Sequence, residues 1–331
     1  MPKQYRKYLH NPELEFVDPR YSGNPLVNDA FVYAHSDDKI SFRKVLKWML
    51  SPKPNRKIKK LEDYSVPVVN DESFFKDKKD GILWLGHASF LIRLSGKLML
   101  TDPCLRSLPF LKRKSELPFP VSKIVDLDYI LVSHGHRDHF DIPTVKMILA
   151  NNPGVKFLVP LRMGKLLENA GIMNYEEAGW YQRYQTNAME IIFLPARHWH
   201  RRGVKDMNKI LWGSFLIRST EKSVYFGGDS GYGKHFKEIR NLIHGKIDEI
   251  ILPIGAYNPA YIMKSNHMNP EEALQAFHDL GGKRLIPMHY GTYDLSDEPL
   301  GEPEKRMRKL HSEGRINGEL RMCEIGENIV I

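Results

Sequence analysis

The chain has 331 residues, 42% of them hydrophobic, and 49 Lys or Arg against 40 Asp or Glu give a net charge of +9. No run of about 18 apolar residues occurs, so a membrane-crossing helix is not expected. The basic start Met1–Lys7 leads into no apolar segment, so neither is a secretory signal. Two cysteines, Cys104 and Cys323, are too few for a disulfide framework and point to a reducing, cytoplasmic setting.

Residues 1–80 read as an N-terminal extension, partly helical and packed on a main domain that runs from 81 to 331. A helix is expected over Ser41–Leu50, halted by Ser51-Pro52-Lys53-Pro54. Between Phe42 and Lys60 there are eight Lys or Arg and no acid, with Phe42, Val45, Leu46 and Met49 at helical spacing. Such a stretch, Arg43–Lys60 with Trp48, suits either peripheral contact with anionic lipid at the membrane inner face or a solvated helix whose apolar stripe packs on the core. Lys112-Arg113-Lys114 and Arg201-Arg202 are candidates for the same basic surface. Charge gathered in one segment, with no recognisable nucleic-acid module, argues against a nucleic-acid partner. Self-association is left open.

From Gly81 short apolar runs alternate with turns. Strands are expected at Ile82–Leu85, Ser89–Leu94, Lys97–Thr101, Tyr129–Val132 and Val155–Val159, with helices at Asp141–Ala150 and Arg162–Ala170. The second half follows the same pattern, with strands at Met189–Leu194, Ile210–Ile217, Ser223–Phe226, Glu249–Ile254, Arg284–Pro287 and Glu319–Ile325. Its helices are expected at Tyr232–Ile243, Asn269–Leu280 and Glu304–Ser312. Two strand-rich halves with interspersed helices imply an α/β (α+β) fold of two facing sheets flanked by helices.

The segment Ser133-His134-Gly135-His136-Arg137-Asp138-His139-Phe140-Asp141 follows the strand Tyr129–Val132 and packs three histidines and a carboxylate into six residues. Imidazole and carboxylate donors suit zinc and related divalent ions. His198, Asp229 and His289 also follow predicted strands, where open sites in sheet proteins gather. The pair Gly227-Gly228 before Asp229 permits close backbone approach. Together these residues make two coordination spheres: His134, His136 and His198 for one ion, Asp138, His139 and His289 for another, with Asp229 as bridge. Two ions at such a site share a hydroxide and clamp the oxygens of a displacement. Two Zn2+ are expected; iron or manganese also fit His/Asp donors.

The motif His134-x-His136-x-Asp138-His139 resembles the hallmark of the metallo-β-lactamase superfamily, whose fold is a four-layer αββα sandwich. Within that superfamily the chain is most similar to the N-acyl-phosphatidylethanolamine-hydrolysing phospholipase D (NAPE-PLD) family. The supporting segments run from Trp84-Leu85-Gly86-His87-Ala88 and Thr101-Asp102-Pro103, through Arg197-His198-Trp199, Gly228–Tyr232 and Pro253–Tyr257, to His267–Ala273 and His289–Thr292. They cover residues 81 to 298 in order. The resemblance implies a zinc-dependent phosphodiesterase that uses a metal-bridging hydroxide to split a phospholipid into phosphatidic acid and an N-acylethanolamine.

It further implies that Asp102 orients a ligand or the metal shell, although a turn residue before Pro103 explains it equally well. His267 would serve the substrate phosphate, or simply sit in the turn before the helix at Asn269. The candidate catalytic residues are then Asp138 and Asp229, which also ligate, with His267 and Asp102, and His267, Tyr257 and Arg137 are the candidate substrate contacts. Arg137 stands where animal members carry an aromatic residue. The loop Leu105–Phe119 is a candidate wall for a lipid channel. The same site in sister families opens lactones, so a lactonase-like or general phosphodiesterase acting on a small soluble substrate is the second expectation.

Overall fold

The computed structural model describes residues 7–33, 42–243 and 245–331; the basic start at residues 1–6 and the expected helix start at Ser41 lie outside them. A small antiparallel sheet of β1 (Lys7–Leu9), β2 (Asn24–Val27) and β3 (Ala30–Phe31) opens the fold. Short helices follow: α1 (Phe42–Leu50), α2 (Arg56–Leu61) and α3 (Ser73–Lys76).

The first large sheet holds β4 (Gly81–Trp84), β5 (Phe90–Leu94), β6 (Lys97–Thr101), β7 (Tyr129–Leu131), β8 (Lys156–Pro160) and β9 (Tyr175–Ala178), and is joined by the distant β17 (Asn328–Val330). Its order is β17-β4-β5-β6-β7-β8-β9, with helices α4 (Ile142–Leu149) and α5 (Gly164–Glu168) on its outer face. The second large sheet runs in sequence order: β10 (Gln182–Arg183), β11 (Glu190–Leu194), β12 (Ser214–Arg218), β13 (Ser223–Phe226), β14 (Ile247–Pro253), β15 (Gly282–Met288) and β16 (Glu319–Leu320). Helices α6 (His235–Leu242), α8 (Pro270–Leu280) and α9 (Glu302–Ser312) pack with it, and α7 (Ala260–Met263) lies in the loop after β14.

Strand alternation explains the layering. In β4 and β5, Ile82, Trp84, Phe90 and Ile92 enter the core between the sheets, whereas Leu83 and Leu91 face the outer helices with Val145, Ile148 and Leu167. Both faces are buried, so the strands read as continuous apolar runs. The four-layer αββα arrangement expected from sequence is the one found.

Three differences have local causes. The run Ile210–Ile217 is a strand only from Ser214, because Leu211 N bonds the Leu161 carbonyl and Gly213 N bonds that of Ser133. Glu319–Ile325 pairs as a strand only at Glu319–Leu320; Ile325 instead bridges Val68. Residues 7–33, where few clear strands were expected, carry the first small sheet and bury Leu14, Leu26, Phe31 and Tyr33 in the main core beside Trp180.

Candidate metal centre

Four strands of the two sheets deliver the predicted ligands to one edge. β7 ends into the histidine loop, β11 runs on to His198, β13 to Asp229 and β15 to His289. β6∥β7 and β13∥β14∥β15 are parallel, so their carboxyl ends coincide. The helix after the histidine loop begins at Asp141, whose carboxylate accepts from Thr144 N at 3.0 Å. Gly228, at φ 55°, brings the two halves together: a Cβ there would lie 2.7 Å from Ser133 Cβ. The close approach is thus to the residue before His134.

His134 Nε2 lies 2.9 Å from His136 Nδ1, which lies 3.2 Å from His198 Nε2. His139 Nε2 is 3.3 Å from His289 Nε2 and 3.7 Å from Asp138 Oδ2. Asp229 faces both groups: Oδ2 is 3.2 Å from His139 Nε2 and 3.8 Å from His198 Nε2, and Oδ1 is 3.0 Å from His289 Nε2. Nitrogens held 2.0–2.1 Å from a tetrahedral zinc stand about 3.3 Å from one another. The spacings are therefore those of donors around an ion, and their ring nitrogens cannot satisfy one another by hydrogen bonds alone.

Outer contacts aim these donors. His139 Nδ1 donates to Asp102 Oδ2 at 2.7 Å, leaving Nε2 for the centre. His134 Nδ1 donates to Ser133 Oγ at 2.9 Å, and that hydroxyl donates to Asp102 Oδ2 at 2.6 Å. His198 Nδ1 donates to the Asn266 carbonyl at 3.1 Å. Ligating histidines in metal sites are oriented in this way.

Electrostatics agree with a cation. Burial holds His134 and His198 well below the usual histidine range and takes His136 down to about 3, so these rings are neutral donors. Burial alone would lower His139 too, but Asp229, Asp138 and the hydrogen bond to Asp102 outweigh it and raise its pKa well above 6.5. Asp229 Oδ1 and His267 Nδ1 are buried without hydrogen-bond partners. A divalent ion fits this donor set.

A cavity of about 480 Å3 opens over this cluster. Asp138, His198, Asp229 and His267 form part of its floor, and Val45, Trp48, Trp199 and Ile262 part of its wall. His267 Nδ1 is 3.8 Å from Asp229 Oδ2, and burial lowers its pKa to about 4. Asp102 is fully buried behind His139 rather than in the cavity.

Two expected substrate contacts lie elsewhere. Tyr257 is buried, its hydroxyl donating to Glu302 Oε1 at 2.7 Å under the Arg306 guanidinium, and Ala256 lines the cavity in its place. Arg137 is exposed and is not among the described lining residues. The Leu105–Phe119 loop does not line it either; α1 does, through Val45 and Trp48. Arg113 turns inward to the carbonyls of Ser115 and Cys104, and Arg202 Nη1 clamps those of Gly135 and Phe140, each at 2.8 Å. Neither therefore belongs to a basic surface. Residues that sequence reasoning left without a role include Ser133, Asn266 and His87.

A family model described as a beta-lactamase superfamily domain matches residues 98–290. An N-acyl-phosphatidylethanolamine-hydrolyzing phospholipase D of Caenorhabditis elegans is 34% identical over 272 residues, 76% of this chain and 76% of that protein. The mitochondrial N-acyl-phosphatidylethanolamine-hydrolyzing phospholipase D of Saccharomyces cerevisiae is 29% identical over 81% of this chain, which spans 60% of its length. Among solved structures, Igni18, a metallo hydrolase of Ignicoccus hospitalis, aligns with a TM-score of 0.58 over 76% of this chain and 97% of that one, at 21% identity. The strand order, the donor cluster at the strand ends and these likenesses agree: the chain belongs to the metallo-β-lactamase superfamily, as a metal-dependent hydrolase with relatives among the N-acyl-phosphatidylethanolamine-hydrolysing phospholipases D.

Proposed function

We propose that the chain is a phospholipase D-type phosphodiesterase that splits N-acyl-phosphatidylethanolamine-like lipids into N-acylethanolamine and phosphatidic acid. The observation that carries this reading is the cavity itself, with a His/Asp floor and an apolar wall. Such a site suits a substrate with a phosphodiester at one end and hydrocarbon at the other.

In this reading His134, His136 and His198 hold one ion, Asp138, His139 and His289 a second, and Asp229 faces both. Zinc is the expected metal, and iron or manganese suit the same donors. Two such ions supply water that ionises near neutral pH and neutralise phosphate charge. Asp102 holds His139 in the tautomer that presents Nε2. His267, neutral and on the cavity side, donates a hydrogen bond to a phosphoryl oxygen. Residues 1–80 act as an extension on the domain of residues 81–331, and α1 completes the cavity wall beside a lipid surface.

The test is a screen of purified, metal-quantified protein on N-acyl-phosphatidylethanolamine in mixed micelles, bis-p-nitrophenyl phosphate and soluble acyl-lactones. Release of N-acylethanolamine, reduced at least about 100-fold in Asp229→Asn, is expected, since the variant loses a charge that faces both ions. Turnover of the soluble substrates alone would overturn the lipid assignment and leave a metal-dependent hydrolase of small molecules.

A further inference from the structure

His87 lies in the turn between β4 and β5, and its contacts reach two candidate ligands that come from other parts of the chain. Its ring Nε2 is 3.1 Å from Asp138 Oδ2. Its ring centroid is 4.0 Å from that of His289. Its backbone carbonyl accepts from His289 N at 3.1 Å and from Trp84 Nε1 at 3.0 Å, and its own N–H donates to Thr292 Oγ1 at 2.8 Å. The ring is buried at 1% exposure.

The backbone geometry is unusual for a histidine. His87 adopts φ 53° directly after Gly86 at φ 97°. A non-glycine residue in the left-handed region is uncommon and costs free energy unless its surroundings hold it there. Here three hydrogen bonds of its backbone groups and the packing against His289 do so. The turn therefore delivers one imidazole to a fixed point behind the Asp138 carboxylate.

We infer that His87 is a positioning residue for one half of the metal centre. Its Nε2–H donates to Asp138 Oδ2, which fixes the carboxylate's rotation, while its ring backs His289. Asp138 is otherwise the most open of that half, with 20% of its side chain exposed, against none for His139 and His289. A carboxylate free to rotate presents its oxygens variably, and outer hydrogen bonds of this kind tune metal affinity. His87 lies on the side of Asp138, His139 and His289, and not with His134, His136 and His198. Its loss is therefore felt at one ion and not the other.

This inference rests on the two-ion reading above. The experiment compares the wild type with His87→Phe, which keeps a ring against His289 but has no donor, and His87→Gln, which places an amide N–H near the Nε2 position. Bound Zn2+ is counted by elemental analysis, and each step of zinc uptake is measured by chelator competition. In His87→Phe one of the two steps is expected to lose about 10–100-fold in affinity with the other unchanged, and His87→Gln to recover most of it. Equal affinities in wild type and His87→Phe would overturn the inference. So would Gln failing as badly as Phe, which would mark His87 as a ligand itself. A wild type that binds fewer than two ions would instead sink the two-ion reading, so the two failures are distinguishable. Circular dichroism of both variants checks that loss of zinc does not follow from loss of fold.

Discussion

The ring of His139 is fully buried against three carboxylates, Asp102, Asp138 and Asp229. Its raised pKa means that the chain stripped of metal carries a proton there at neutral pH. A metal ligand must be unprotonated, so loading a divalent ion expels that proton, and affinity falls as pH is lowered. Calorimetric titration of stripped protein with Zn2+ in buffers of different ionisation enthalpy is expected to show proton release at pH 7. Identical heats in all buffers would contradict it. Stability has its own sign: a folded pKa above the unfolded 6.5 means that protonated His139 supports the stripped fold fully below pH 6.5. That support is lost as pH rises through the raised value.

At the scale of elements, β14 shows how a buried acid shapes a strand's pH response. Glu249 is 3% exposed and receives Arg284 Nη1 at 2.9 Å from β15. Burial pushes its pKa up to about 7, with Arg284 and Lys222 opposing. Between its ordinary 4.5 and about 7 the native state binds the proton more tightly than the unfolded chain, so this group's contribution to stability falls as pH rises across that window. Glu249→Gln removes the titration and keeps the shape. Its urea midpoint relative to wild type is expected to be higher at pH 8 than at pH 5; a constant difference would refute the assignment.

Elements with strong local signals were legible. α8 carries Asn269 and Glu272 as a capping box and Gly281 at φ 71° as its stop, all readable in sequence. The candidate donor cluster was legible for a similar reason, because the segments that carry it follow apolar runs. The short strands β1–β3 were not, since pairs as brief as Ala30–Phe31 carry no period. His87 had no role assigned because its partners, Asp138 and His289, are remote in sequence. Arg113 and Arg202 misled for the opposite reason: a cationic residue reads as surface until the carbonyls it binds are known.

For the whole molecule, positive charge and exposed apolar side chains coincide on the α1–α2 segment. Leu46, Met49, Leu50, Ile58 and Leu61 are exposed there among Arg43, Lys47, Arg56, Lys57 and Lys60. The expected apolar stripe is thus divided, since Val45 turns to the cavity beside Trp48 while Leu46 and Met49 remain outside. No helix among the described residues is long and apolar enough to cross a membrane. The proposed contact is therefore peripheral: apolar insertion aided by attraction to anionic lipid. Flotation with phosphatidylserine-containing vesicles at low salt is expected to carry the protein upward and to fail at high salt. Equal recovery with neutral and anionic vesicles would count against it.

The strand β17 closes the first sheet by lying antiparallel to β4, Ile329 opposite Ile82. During synthesis these partners are made far apart in time. At about 5–20 residues per second, the edge at Ile82 waits roughly 10–50 s for its neighbour to be translated. An unpaired apolar edge invites other chains in that interval. The half that carries the histidine loop can be complete in sequence and still lack its outermost strand, so nascent chains are most in need of chaperone cover along that edge.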